Sequence, residues 1–217
     1  EELTSDLTRL CDRGVHGVAL YELHRTDRNR TLFDDVWQYT PDRRRNFELL
    51  GEGSRFLQSR GYARRFFNHF AKGPDRDLYS THPIRGEECL ALGPWADGHG
   101  SGAGWRNAPY DRWLKAVRKS GCGVGEVSLY LQAENALREV ETGLMHCRVS
   151  EESLRRFASG VNIDADGLIG EWTSAGLVGR RDRTLLLTDK GTWLHGNMIE
   201  TLRRHAGRTT VEAEQVP

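Results

Sequence analysis

The residues most suggestive of chemistry lie in a glycine-rich stretch between Gly93 and Gly104. Five of its twelve positions are glycine. That is too many for an ordinary helix or strand, because glycine loses more conformational freedom on folding than any other residue. Such a composition is typical of a loop whose backbone must come close to a ligand. The stretch therefore predicts a binding loop.

The cysteines and histidines indicate no metal site. The four cysteines are widely spaced and form no C-x-x-C pair: Cys11, Cys89, Cys122 and Cys147. This pattern favours a reducing compartment over a disulfide framework, so we predict a cytoplasmic protein. His69 has no second ligand-type residue at metal-binding spacing on its element. It is interpreted either as a neutral core histidine or as part of a ligand site.

Composition argues against two classes of partner. Lysine plus arginine and aspartate plus glutamate both total 31, which gives a formal net charge of zero. A chain without excess positive charge lacks the general attraction to phosphates that holds nucleic acid. No apolar run approaches the roughly 20 residues that a membrane-spanning helix needs. We therefore expect neither nucleic acid nor a membrane as partner.

The elements that must position the loop alternate between helix and strand. Leu3, Leu7 and Leu10 recur at helical spacing before Gly14, a residue typical of a helix C-terminus. The nearly continuous apolar run that follows is typical of a strand in a parallel sheet. The predicted order is helix 2–13, strand 15–23, helix 42–59, strand 62–70, a third strand at 89–92, and helices 109–119 and 128–142. This order indicates an α/β fold.

From about residue 149 the pattern changes to two helices, a hairpin and a final helix. The helices are predicted at 151–158, 164–175 and 189–204, and the hairpin at 177–187. This order is that of a winged-helix-like module. The polar residues 208–217 are expected to form a disordered tail.

Three short stretches also occur in a characteristic order. The first is Glu2 to Leu23, which ends in L-Y-E-L. The second runs from Gly61 and Tyr62 through N-H-F-A-K to L-A-L-G-P-W-A. The third is G-L-V at 176–178 followed by L-T-D-K-G-x-x-L at 187–194. Together they resemble the oxygen-independent coproporphyrinogen III oxidase family of radical S-adenosylmethionine enzymes, whose relatives include heme chaperones and anaerobic heme-degrading methyltransferases.

This resemblance implies an architecture and two cofactors. It predicts the C-terminal portion of a partial (β/α) barrel at 1–122, a small winged-helix-like α+β accessory domain at 123–207, and the tail at 208–217. Such enzymes use S-adenosyl-L-methionine and a [4Fe-4S] cluster bound by C-x-x-x-C-x-x-C. That cysteine motif is absent from the sequence. We expect the cluster to come from a missing N-terminal barrel region or a partner subunit, and the chain alone to be inactive.

The resemblance also points to site residues. In (β/α) barrels, functional groups lie at the C-terminal ends of strands, which makes Tyr21 and Glu22 either substrate contacts or strand ends capped by local hydrogen bonds. Phe70 and Ala71 match the pair that lies beside S-adenosylmethionine. Gly93 and Ala96 match small residues that approach a second cofactor or substrate molecule.

Two further positions complete the predicted set. Asp97, with Trp95, departs from the family pattern and is expected to charge and narrow the loop. Tyr79 falls near a polar contact to the second ligand. No catalytic residue and no metal ligand is identified from the sequence.

The function implied is action on a tetrapyrrole. Either oxidative decarboxylation of coproporphyrinogen III or anaerobic heme methylation with ring opening fits the resemblance, and the loop L-A-L-G-P favours the second. A non-catalytic heme-binding paralogue is the main alternative. A winged-helix DNA-binding protein is a weaker one, because helix 164–175 carries acidic residues and no lysine or arginine.

Overall fold

The computed structural model describes residues 2–22, 25–26, 29–75, 88–100, 102–129 and 132–206. The chain divides into two compact units, residues 1–77 and 78–217, which are described separately. The domain boundaries predicted at 122/123 and 207/208 stay a prediction.

The first unit packs two helices against a small sheet. Its elements are α1 (Glu2–Asp12), β1 (Gly17–Ala19), a π-helical turn (Leu32–Val36), α2 (Arg43–Ser59), β2 (Ala63–Arg64) and β3 (His69–Ala71). Leu7 of α1 and Leu57 of α2 are buried with three sheet-side residues, Val18, Tyr62 and Phe70. Helices 2–13 and 42–59 are thus confirmed to within one residue.

The sheet of this unit is antiparallel, so the parallel pairing expected from the apolar runs is wrong. The strand order is β1-β3-β2, and β3 pairs antiparallel with both neighbours. The expected strand at 62–70 is instead a hairpin. The backbone N–H of Phe66 donates to the His69 carbonyl, and the backbone N–H of His69 donates to the Phe66 carbonyl. These two hydrogen bonds reverse the chain between β2 and β3. The turn residues, Arg65 to Asn68, include neither proline nor glycine, the two strongest turn signals, so the expectation of one strand missed the reversal.

The second unit begins with a three-stranded antiparallel sheet and one helix. The elements are β4 (Asp97–Gly100), β5 (Ala103–Asn107), α3 (Tyr110–Ser120) and β6 (Val124–Leu129), with strand order β4-β5-β6. The glycine-rich stretch is therefore largely a hairpin, so the expectation that the whole stretch is a loop is wrong, whereas its approach to a ligand stays a prediction. Gly102, with φ of +78°, lies where the chain turns between β4 and β5. The expected strand at 89–92 is reduced to a single bridge between Cys89 and His99.

The rest of the second unit is a winged-helix-like module. Its elements are α4 (Gln132–Met145), β7 (Arg148–Ser150), α5 (Glu151–Gly160), α6 (Ala165–Ser174), β8 (Val178–Arg181), β9 (Thr184–Leu187) and α7 (Asp189–His205). The sheet order is β7-β9-β8, and all pairs are antiparallel. The predicted module is confirmed. The helix expected at 128–142 begins at residue 132 instead, since β6 takes the chain as far as Leu129.

This module contains the larger core of the described residues. Its completely buried side chains are Leu137, Val140 and Leu144 of α4, Leu154 and Phe157 of α5, Leu185 of β9 and Leu202 of α7. Arg180, in strand β8 of the hairpin, forms an ion pair with Glu151, whose side chain is only 3% exposed. That arginine therefore contributes to the fold of the module. None of the described helices combines the length and the apolar character that crossing a bilayer requires.

Candidate functional site

The first predicted contacts lie just after β1. Tyr21 is 73% exposed. Glu22 is half-buried and accepts a hydrogen bond from Asn46 Nδ2 of α2 at 2.9 Å. The carboxylate is therefore held in place by a helix 24 residues further along the chain, which is more than a local cap at the end of a strand.

Phe70 and Ala71 lie in β3, the central strand of the first sheet. Both are only 2% exposed. The Phe70 ring packs in the core, and the Arg64 guanidinium lies 5.2 Å from its centroid. A ligand beside this strand would therefore meet backbone atoms and would not meet the Phe70 ring.

The opposite face of the sheet carries small side chains. Side chains alternate along a strand, so His69 and Ala71 point away from the core that contains Phe70. On β1 the same alternation leaves Gly17 and Ala19 exposed while Val18 is buried. This face is not bare, however, because Ala71 is buried and the Asp75 carboxylate lies next to Gly17.

His69 forms a hydrogen bond through Nε2 with Asp75 Oδ2 at 2.7 Å, and both side chains are about one-fifth exposed. Gly17 makes this pair possible, since a Cβ there would collide with the Asp75 carboxylate. The His69 ring is therefore partly buried and its hydrogen bond is satisfied by the carboxylate of the turn after β3. Both interpretations of His69 stay predictions.

In the second unit, Gly93 and Ala96 belong to one hydrogen-bonded turn. Asn107 Nδ2 donates to the carbonyls of Ala91 at 3.0 Å and Gly93 at 2.7 Å. The backbone N–H of Asn107 donates to the Ala96 carbonyl at 2.9 Å. Asn107 is 6% exposed and was not predicted. The sequence carries no signal of this role, since an asparagine between a predicted strand and a predicted helix is normally interpreted as a turn residue.

The backbone of this turn adopts conformations that constrain its sequence. Gly93 has φ of +90° and Trp95 has φ of +62°. A Cβ on Gly93 would meet no atom within 4 Å, whereas a Cβ on Gly98 would collide with the Trp105 indole. Gly93 is thus required by its backbone angle and Gly98 by the ring that lies over it. Of these two glycines, Gly93 has open space beside it.

Asp97 is not an isolated charge. Its carboxylate receives two hydrogen bonds from Arg106, with Nε to Oδ1 at 2.7 Å and Nη2 to Oδ2 at 3.2 Å. The same contact raises the pKa of Arg106 above its ordinary value. The carboxylate expected to charge the loop is thus paired with a positive charge of the neighbouring strand, and the predicted role of Asp97 in cofactor binding stays a prediction.

The remaining predictions concern Tyr79 and the cofactors. Tyr79 lies outside the described residues. Within the described ranges, no group of three or more histidine, cysteine, aspartate or glutamate side chains could hold a metal ion. The residues present therefore do not fit the [4Fe-4S] cluster. The turn at Gly93 leaves space in which a ligand would meet backbone atoms. The S-adenosylmethionine contacts expected at Phe70 and Ala71 stay a prediction.

Comparison with known proteins relates these features to characterised enzymes. No family model matches the chain. In sequence it is similar to anaerobilin synthase of Escherichia coli, with 26% identity over 213 residues, which cover 91% of this chain and 44% of that protein. In structure it is similar to coproporphyrinogen III oxidase of Escherichia coli, described as a radical SAM enzyme. The TM-score is 0.67 at 17% identity, over 90% of this chain and 50% of that one.

These similarities confirm two of the predictions. The resemblance to the coproporphyrinogen III oxidase-like radical enzymes is confirmed, and so is the fold class. The chain spans half the length or less of each protein that it matches. The predicted site residues remain predictions.

Proposed function

We propose that this chain is part of a radical S-adenosylmethionine enzyme that acts on a tetrapyrrole. The observation that carries the proposal is the similarity of fold to coproporphyrinogen III oxidase over 90% of the chain. The sequence similarity to anaerobilin synthase and the loop L-A-L-G-P favour heme methylation with ring opening over oxidative decarboxylation of coproporphyrinogen III.

In such enzymes the cluster and S-adenosylmethionine supply the radical chemistry. The contribution proposed for this chain is to bind and orient. S-adenosylmethionine contacts the backbone of β3 at Phe70 and Ala71, whose side chains are buried. The turn held by Asn107 presents Gly93 and Ala96 to a second ligand, and Glu22 contacts the tetrapyrrole. The cluster is supplied by another region of the polypeptide or by a partner subunit.

An anaerobic assay of the protein from its own host tests this proposal. A tag on the chromosomal copy retains any sequence or subunit that accompanies the chain. With reductant, S-adenosylmethionine and either heme or coproporphyrinogen III, we expect tetrapyrrole-dependent formation of 5′-deoxyadenosine, measured by liquid chromatography and mass spectrometry. The recombinant 217-residue chain, assayed identically, is expected to form none.

The product identifies the reaction. Addition of a methyl group to heme indicates methylation, whereas loss of carbon dioxide from coproporphyrinogen III indicates decarboxylation. The proposal fails if the native protein forms no 5′-deoxyadenosine with either substrate. Tight binding of heme without turnover would instead favour the non-catalytic heme-binding alternative.

A further inference from the structure

The imidazole of His99, in β4, carries a nitrogen that the fold leaves unpaired. Its Nε2 atom is buried and has no hydrogen-bond partner in the described part of the chain. A ring nitrogen of histidine donates or accepts a hydrogen bond, according to the tautomer. Burying such an atom without a partner costs free energy, because its bond to water is lost and nothing replaces it. A ligand of the nitrogen is one reason for a fold to keep this cost.

His99 differs from the other described side chains that have a buried atom without a hydrogen bond. These are Arg64, His146 and Glu151. Arg64 donates to the Ser54 hydroxyl through its Nη2, Glu151 forms an ion pair, and His146 makes a further contact. Within the described ranges, His99 is the one of these side chains for which no polar contact compensates. Its nitrogen is therefore the strongest candidate for a ligand contact.

The backbone holds His99 on both sides. On one side β4 pairs with β5, where His99 lies opposite Gly104. On the other side the backbone N–H of His99 donates to the Cys89 carbonyl at 3.0 Å, and the backbone N–H of Cys89 donates to the His99 carbonyl at 2.8 Å. The main chain at His99 is thus fixed, so the position of its side chain is a property of the fold.

The neighbours of His99 add few side chains around the ring. Gly98 and Gly100 precede and follow it in the sequence. Directly opposite residues of an antiparallel pair place their side chains on the same face of the sheet. Because the opposite residue is Gly104, β5 contributes no side chain next to the imidazole. The glycine-rich hairpin therefore presents one histidine beside backbone atoms.

The number of donors restricts which ligand this nitrogen fits. A bare metal ion takes three or more protein ligands, and no described group of histidine, cysteine, aspartate or glutamate side chains could hold one. The iron of heme is different, because the porphyrin supplies four nitrogen ligands and one imidazole is enough. Leu90, the residue after Cys89, is 78% exposed and offers apolar surface to such a macrocycle.

We propose that His99 Nε2 is an axial ligand of heme iron. The proposal rests on the proposed function for heme as the ligand, and it deepens that function by naming the residue that binds the iron. Coordination uses the lone pair of Nε2, so the ring proton is on Nδ1. Because Nε2 is buried, ligation requires the ring to turn or the groups that cover it to move.

Titration of the purified 217-residue chain with heme, followed by absorption spectroscopy, tests the proposal. The wild-type chain is expected to show the spectrum of imidazole-ligated heme. His99→Ala is expected to lose this spectrum and to weaken heme binding by about tenfold or more, since even an outer partner of a metal ligand contributes about 10–100-fold. Iron-free protoporphyrin IX is expected to bind both chains equally, because it contains no iron to ligate.

Two further variants are matched controls. His205→Ala removes an exposed histidine of α7. Cys89→Ser removes the thiol of the residue that pairs with His99, which is the other donor at this place on the sheet. Both are expected to leave the heme spectrum and the affinity unchanged. Circular dichroism melts identify a variant that fails to fold.

A substitution that retains an iron ligand tests the same point without relying on loss of binding. Methionine also ligates heme iron, through its thioether sulfur. His99→Met is therefore expected to keep heme bound while the spectrum changes to that of a thioether ligand. This readout separates ligation from a purely structural role of the residue, and it remains available if His99→Ala unfolds the chain.

Three outcomes would overturn the inference. The first is a wild-type chain that binds no heme, which would leave a buried water as the partner of Nε2. The second is a heme spectrum that His99→Ala and His99→Met leave unchanged. The third is an equal loss of heme and of iron-free protoporphyrin IX in His99→Ala. The proposed function is judged separately by 5′-deoxyadenosine formation in the native protein, so each can fail without the other.

Discussion

At the scale of single residues, buried amide side chains organise both candidate ligand regions. Asn107 satisfies two carbonyls of the turn at Gly93, and Asn46 holds the Glu22 carboxylate. Each replaces hydrogen bonds to water with bonds inside the protein. The net gain per bond is therefore only about 1 kcal/mol, whereas losing one partner costs about 1–3 kcal/mol. Replacing either asparagine by a smaller or less polar residue is therefore expected to destabilise the protein.

His195 provides a pH-dependent contribution to stability. Its Nδ1 lies 2.7 Å from the Thr192 carbonyl, and burial lowers its pKa below the ordinary value of 6.5. The unfolded chain therefore binds a proton at a pH where the folded chain does not. The contribution of His195 to the free energy of unfolding is therefore complete above pH 6.5. It decreases as the pH falls towards the lower pKa that His195 has in the folded chain.

We expect the wild-type chain to lose more stability than His195→Gln between about pH 7.5 and about pH 5. Urea unfolding followed by circular dichroism at both pH values measures the difference. The control is His205→Gln, at an exposed position near the end of the same helix. Equal pH dependence for wild type and His195→Gln would contradict the prediction.

At the scale of elements, the start of α7 explains why its sequence reads L-T-D-K-G. Thr188 caps the helix by accepting from the Gly191 amide at 3.0 Å, and its hydroxyl donates to the Gly176 carbonyl at 2.7 Å. Gly191 is buried where the first turn meets the Leu177 carbonyl, so a Cβ there would collide with backbone. The two short motifs at 176–178 and 187–194 are therefore two sides of one contact.

Two glycines of α7 give a matched test of this contact. Gly191→Ala is expected to destabilise the chain by about 1–3 kcal/mol, because the backbone must move to accept a methyl group. Gly196→Ala, where nothing lies within 4 Å, is expected to stabilise it by about 0.5–1 kcal/mol through helix propensity. Thermal melts of both variants measure the effect. A destabilisation of equal size at both positions would show that the contact with Leu177 is unimportant.

At the scale of the whole molecule, apolar exposure is concentrated outside the winged-helix-like module. In the segment before β4, Leu90, Leu92 and Trp95 are 78%, 84% and 55% exposed, and in β6, Val127 and Leu129 are 61% and 75% exposed. No residue of α3 is buried despite its regular apolar face. Such a layer requires a covering surface, which agrees with the proposal that further sequence or a partner completes the enzyme.

The isolated chain is therefore expected to self-associate through β6, the outermost strand of its described sheet. Val127 and Leu129 lie on one face of this strand by alternation. Replacing both by lysine should reduce association, since charge on an edge strand opposes pairing. Light scattering after size-exclusion chromatography at increasing concentration measures it.

The matched control is Leu186→Lys on β9, a single exposed residue of a central strand. It should leave association unchanged. A wild-type chain that stays monomeric at every concentration would argue against the covering surface.

The sequence by itself determined the helices and the winged-helix-like module. Their signals are local: periodic leucines, a capping threonine, and glycines at positive φ where helices end. The order of the short motifs also indicated the enzymes that the chain resembles in sequence and fold. Asp42, Ser150 and Thr188 each cap a helix whose start was predicted to within one residue.

Only the tertiary structure decided how strands pair and what polar side chains touch. The turn at 65–68 reverses the chain between β2 and β3 through backbone hydrogen bonds that many side chains allow, so the sequence of residues 62–70 did not reveal the antiparallel pairing. Arg106 neutralises Asp97, and Asn46 reaches Glu22, across 9 and 24 positions. Such contacts depend on the register of whole elements, which the spacing of residues along the chain does not encode.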